Sequence, residues 1–70
     1  MKLNDTYIFA TDDYYRLCVY MGPGIVPNHC KMRYLQPDWI IVSCRKNTLY
    51  GPVTCATMED ARRLHPEAFI

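Results

Sequence analysis

No apolar run in these 70 residues approaches the roughly 20 that a membrane-spanning helix needs. No charged start leads into an apolar stretch, so nothing suggests an export signal. Neither sign of charge dominates, with eight Lys and Arg against seven Asp and Glu. A DNA mimic would be strongly acidic and a sequence-independent DNA binder strongly basic, so the balance disfavours both. There is no C-x-x-C pair, and the histidines are two, His29 and His65. Structural zinc draws on such knuckles, so no metal is expected. Gly22-Pro23-Gly24 lacks the Lys-Ser/Thr that completes a phosphate loop. A single domain spanning 1–70, located in the cytoplasm, is the expectation.

What the chain does contain is a high apolar share, 50%, with six tyrosines and four cysteines. A core of this size barely offsets chain entropy, and small domains often add disulfides, a metal or a partner. Cys18, Cys30, Cys44 and Cys55 are expected to be free thiols serving as small apolar residues on strands, because disulfides need an oxidising compartment.

The periodicity predicts an α+β fold: a small antiparallel sheet of about four to five short strands with one short helix near the C-terminus. Thr6–Thr11 reads as a first strand or an extended arm. In Tyr14–Met21, Tyr15, Leu17, Val19 and Met21 share one face, and Arg16, Cys18 and Tyr20 the other. Residues 22–30 read as the longest irregular stretch. Lys31–Leu35 alternates, with Lys31 and Arg33 on one face, which suggests an edge strand. Trp39–Cys44 is nearly all apolar and reads as the central strand, buried on most of both faces. Arg45-Lys46-Asn47 would turn it back into Thr48-Leu49-Tyr50, so that the hairpin 39–55 forms the core. Pro52 marks the returning strand as an edge or a bulge. Thr57 can cap a helix whose Met58, Ala61 and Leu64 would face the sheet, leaving Arg62 and Arg63 in water.

Catalytic patterns are weak. Cys30 adjoins His29, but neighbours in an extended segment point apart, and thiol activation needs a base in hydrogen-bond reach. Glu59-Asp60 is accounted for by the helix start, and Asp12-Asp13 by a turn. No enzyme and no cofactor are expected. Charge is uneven, however: residues 1–15 carry −2, 16–46 carry +4 and 47–70 carry −1. Tyr and Arg are common interface anchors. The candidate binding set is therefore the central basic stretch with its aromatics: Arg16, Tyr20, Lys31, Arg33, Tyr34, Arg45 and Lys46. The competing surface is the Asp-rich arm, residues 1–13, which could add to a partner as a strand.

Two resemblances add expectations. Trp39…Tyr50-Gly51-Pro52-Val53 is similar to a stretch of GYF-like adaptor modules, over less than a quarter of the chain. It implies aromatic recognition of proline-rich peptides. As a class, a compact strand-rich chain of this length also resembles small phage proteins that take over host machinery, inhibitors of bacterial RNA polymerase and anti-CRISPR proteins among them. A near-neutral member of that class implies a non-enzymatic protein that binds a larger bacterial protein machine, with host RNA polymerase and its transcription as the leading target. The alternatives are an anti-CRISPR-type inhibitor of a nucleoprotein complex and a single-stranded nucleic-acid-binding module, which basic and aromatic residues together can form.

Overall fold

The computed structural model describes residues 1–35 and 39–70. It is a small α+β fold: five antiparallel strands, β1 (Thr6–Ala10), β2 (Tyr15–Pro23), β3 (His29–Tyr34), β4 (Ile41–Arg45) and β5 (Leu49–Val53), then one helix, α1 (Met58–Leu64). The strand order is β4-β3-β2-β1-β5.

The β1–β2 turn is built by Thr11, whose hydroxyl accepts from the N–H groups of Asp13 (3.2 Å) and Tyr14 (3.1 Å). β2 alternates as its sequence predicts, and Ile8↔Leu17 and Tyr7↔Cys18 face each other across the pair. Its far end runs on through Gly22-Pro23, so the expected irregular stretch shrinks to the tip of the β2–β3 hairpin. The register slips by one residue between Tyr20 and Gly22, where Gly22 takes φ +126°, a conformation L side chains avoid.

β4 and β5 lie on opposite edges of the sheet, yet only a 3₁₀ turn, Lys46–Thr48, joins them. In a flat five-stranded sheet the edges would be about 19 Å apart. Four fully extended peptide steps span at most about 14 Å, and a 3₁₀ turn spans less. The sheet must therefore curl until its edges approach. One concave surface indeed joins the end of β1, Phe9 to Asp12, with Ser43, Cys44, Arg45 and Thr48.

Curling separates two cores. Inside lie Tyr7, Cys18, Cys30, Met32, Tyr34 and Cys44, with Phe9, Tyr20, Val42 and Leu49 against them. Outside, the opposite face of β1, β2 and β5 presents Ile8, Leu17 and Val53 to Cys55, Met58, Ala61, Ala68 and Phe69 of the C-terminal segment. Thr57 caps α1 as expected, its side chain accepting from the Asp60 N–H at 3.2 Å. A second 3₁₀ turn, Pro66–Phe69, lays Phe69 on Tyr15 (4.6 Å between ring centroids), and Tyr50 Oη donates to Glu67 at 2.9 Å.

Several expectations are corrected. Trp39–Cys44 is not a central strand: β4 is an edge, starts at Ile41, and buries only Cys44 fully. β4 and β5 are not hairpin partners, because β5 pairs with β1. β3 is interior, flanked by β2 and β4. β1 is paired on both sides and holds the fully buried Ile8, so it is no free arm. Leu64 is exposed; at the end of a seven-residue helix it has passed the edge of the sheet. Arg62 does not simply point to water, because its guanidinium lies 4.6 Å over the Phe69 ring. The turn residues Gln36, Pro37 and Asp38 lie outside the described residues.

Candidate protein-binding surface

The curl covers only part of what the sheet exposes. α1 and the following turn pack on the outer face of β1, β2 and β5, and among the described residues the cluster they form includes none from β3 or β4. Several exposed apolar residues lie on this face or in the chain leading into β4. Ile25 is wholly exposed (102%), and Val26, Trp39, Ile40 and Ile41 are each about half exposed. An open groove of about 420 Å³ runs between the β2–β3 tip and β4, lined by Gly24, Ile25, Val26, Lys31, Ile41, Val42 and Ser43. The tip is pinned by Gly24 N–H to His29 O (3.0 Å) and His29 N–H to Val26 O (3.3 Å), and Asn28 takes φ 64° in its turn. Concentrated apolar exposure on a small domain marks an interaction surface.

The cations surround this groove. Lys31 and Arg33 project from the outer face of β3 opposite Ser43 and Ile41. Lys31 is exposed and lines the groove; Arg33 is half-buried, and its Nε has no hydrogen-bond partner among the described residues. Arg45 and Lys46 are exposed at the end of β4, where with Asn28, His29 and Asn47 they line a separate polar concavity of about 460 Å³. Neither β3 nor β4 contains a carboxylate. The surface is apolar along its floor and positive around it.

The rest of the sequence-predicted set lies elsewhere. Tyr34 is buried, Tyr20 is half-buried against the inner core, and Arg16 stands with its guanidinium 3.9 Å over the Tyr34 ring. Tyr14 and Tyr34 share a hydrogen bond between their hydroxyls (2.8 Å), and Phe9 stacks on Tyr34 at 6.3 Å. Burial and the Tyr14 hydrogen bond push the Tyr34 hydroxyl far above its ordinary value. This cluster closes one mouth of the curled sheet. Tyr34 is therefore a packing residue rather than an exposed anchor, and the seven candidates do not form one patch. The structure brings Lys31 and Arg33 together beside the groove, and Arg45 with Lys46 at its end. Sequence reasoning overlooked Ile25, Val26, Ile41 and Ser43. The available signal was Ile25-Val26 itself, an apolar pair between Gly24 and Pro27 in a turn.

Burial holds Cys18, Cys30 and Cys44 in the thiol form. All four are free and buried. Burial pushes Cys18 up to about 12, with Cys44 and Cys30 nearby adding to it, and Cys44 up to about 11. Cys18 and Cys30 direct weak S–H donors to the carbonyls of Tyr7 (3.6 Å) and Cys44 (3.7 Å). Among the described residues no group of three or more His, Cys, Asp or Glu is arranged to hold a metal ion. Among the described residues no helix is long and apolar enough to cross a membrane.

Fold and surface together define a class: a small curled antiparallel sheet, sealed on one outer face by a C-terminal helix and open on the other along an apolar, cation-rimmed edge strand. No family model matches the chain, and neither a curated protein nor a solved structure matches it.

Proposed function

We propose that this chain is a non-enzymatic protein-binding module that modulates a larger protein machine through the outer face of β3 and β4. The observation that carries the reading is the groove between Ile25-Val26 and Ile41, apolar in its lining and flanked by Lys31 and Arg33. Apolar anchors in such a groove supply affinity, and surrounding charge steers encounter with an acidic partner. Within this reading the class resemblance puts bacterial RNA polymerase first among the machines to test, with the protein acting in the bacterial cytoplasm.

The test immobilises the whole chain and presents purified RNA polymerase, bacterial lysate and a single-stranded oligonucleotide in turn. Ile25→Asp with Ile41→Asp should reduce protein capture at least tenfold while circular dichroism stays unchanged. Equal capture by both forms, or no capture by either, sinks the reading. The polar concavity of His29, Arg45 and Lys46 favours a second reading, single-stranded nucleic-acid binding. Steeply salt-dependent oligonucleotide binding with no protein retained would select it instead.

A further inference from the structure

We infer that the groove accepts an extended segment of the partner, alternating apolar and acidic side chains, which adds to β4 as a sixth strand; this rests on the protein-binding reading above. The backbone pattern shows which groups would receive it. Tyr34 N–H donates to Ile40 O at 2.8 Å and Lys46 N–H to Asn28 O at 2.9 Å, in one continuous register with Met32↔Val42 and Cys30↔Cys44. Antiparallel pairs alternate between hydrogen-bonded and non-hydrogen-bonded. Val42 and Cys44 therefore spend their N–H and C=O on β3, whereas Ile41, Ser43 and Arg45 direct theirs to the open edge. β4 carries no proline, and the β3–β4 register carries no bulge, so two common devices that keep an edge from pairing are missing.

Side chains set the chemistry of the occupant. Ile41, Ser43 and Arg45 share the outer face, opposite Arg33, Lys31 and His29 respectively. Ser43 is short, so the ammonium of Lys31 can reach across it to an acid on an added strand. Ile41 beside it, with Ile25 and Val26 across the groove, takes apolar side chains on either flank. A second copy of this chain fits less well. Antiparallel pairing of two β4 edges about Ser43 would set Arg45 of each copy beside Ile41 of the other and bring no acid to Lys31 or Arg33, because neither β3 nor β4 carries a carboxylate.

The test selects a random twelve-residue peptide library on the full chain. Enriched peptides should alternate apolar residues with Asp or Glu, and their binding should slow amide exchange at Ile41, Ser43 and Arg45 at least tenfold. Ser43→Pro removes an N–H that β3 does not use, so it should leave the fold intact and weaken these peptides at least tenfold. Lys31→Glu, at an exposed position, should keep the fold and shift selection to basic peptides. If enriched peptides bind both variants as tightly as the parent, or protect the Tyr14 and Arg16 end instead, the inference fails and the protein-binding reading survives. It also fails if sedimentation shows a dimer that Ser43→Pro dissolves, since the occupant is then a second copy. If no peptide is enriched but captured protein is retained equally by Ser43→Pro, the inference alone fails. Loss of all capture by the parent chain overturns both.

Discussion

Truncating Ile8 and Ile41 to alanine should have opposite consequences, although both are isoleucines on β-strands. Ile8 is 0% exposed, held between the β1–β2 pair and the C-terminal segment with Leu17, Val53 and Ala61. Its loss removes apolar contact on both sides and leaves a cavity, at a cost of about 3–4 kcal/mol. Ile41 is 50% exposed on an edge strand, so water fills the space and the cost stays below about 1 kcal/mol. A chain of this length is stabilised by roughly 4–10 kcal/mol in total, so the first substitution consumes much of it. In urea melts with a slope near ~1 kcal/mol/M, the midpoint should fall by about 3 M for Ile8→Ala and by under about 1 M for Ile41→Ala. If Ile8→Ala does not fold, Ile8→Val should still cost about 1 kcal/mol against a negligible change for Ile41→Val. An Ile41→Ala loss equal to that of Ile8 would place β4 in the core and refute the two-layer account.

Alkali should weaken the fold well before any acid group matters. Cys18 and Cys44, at about 12 and about 11 when folded, hold their protons after the unfolded chain releases them near 9; their stabilisation is complete below that value and lost as pH rises through the folded ones. Urea midpoints that stay flat from pH 8 to 11 would contradict this. On the acid side, Glu67 is held below its ordinary value of 4.5 by its own backbone N–H and by the Tyr50 hydroxyl; its contribution is present above that value and lost as pH falls through the depressed one, and Glu67→Gln should remove this acid dependence from amide exchange of the C-terminal turn. Arg33→Met keeps the aliphatic stem and removes an Nε–H donor that is buried without a partner among the described residues. It should leave stability unchanged or raise it by up to about 1–2 kcal/mol in the same melts, and a clear loss would show that the guanidinium is satisfied in solution.

How far the sequence discloses this structure depends on whether the signal is local. Thr57 followed by Glu59-Asp60 specifies a capped helix start with groups three residues apart, and the structure contains it. The alternation in Tyr15–Tyr20 fixes which residues of β2 face which way, because a strand's period is two while its register holds, and it is interrupted at the slip between Tyr20 and Gly22. Pro52 marks an edge for the same local reason, since it has no N–H to give a second neighbour. Trp39–Val42 misleads, because an apolar run records that four side chains avoid water and is silent on what covers them. Which strands are interior is decided by pairing at long range, and β1, with its unremarkable TYIFA, is one of them because both β2 and β5 register on it. The three residues between β4 and β5 look like a hairpin turn for a related reason. Length permits a hairpin, and only the curl of the whole sheet reveals that the same three residues carry the chain across its open seam.

The misread strand and the missed surface have one cause. A short chain can bury apolar side chains in a closed sheet only by committing its inward positions, and here those are small or soft: Cys18, Cys30, Cys44 and Met32 beside the rings of Tyr7 and Tyr34. Such residues fill a narrow curl without forcing it open. Bulkier aliphatics of the central region, Ile25, Val26 and Ile41, are left on the outside of β4 and the neighbouring tip, where they add little to folding. A sequence scan weights those bulky residues most heavily and assigns them to the core. The structure reverses the assignment for this region: the thiols help fill the interior, and Ile25 and Ile41 lie at the surface. On the proposed reading, substitutions at Ile25, Ile41 or Ser43 should therefore alter what the edge accepts while the interior stays untouched, so that binding and stability would separate along the two sides of a single strand pair.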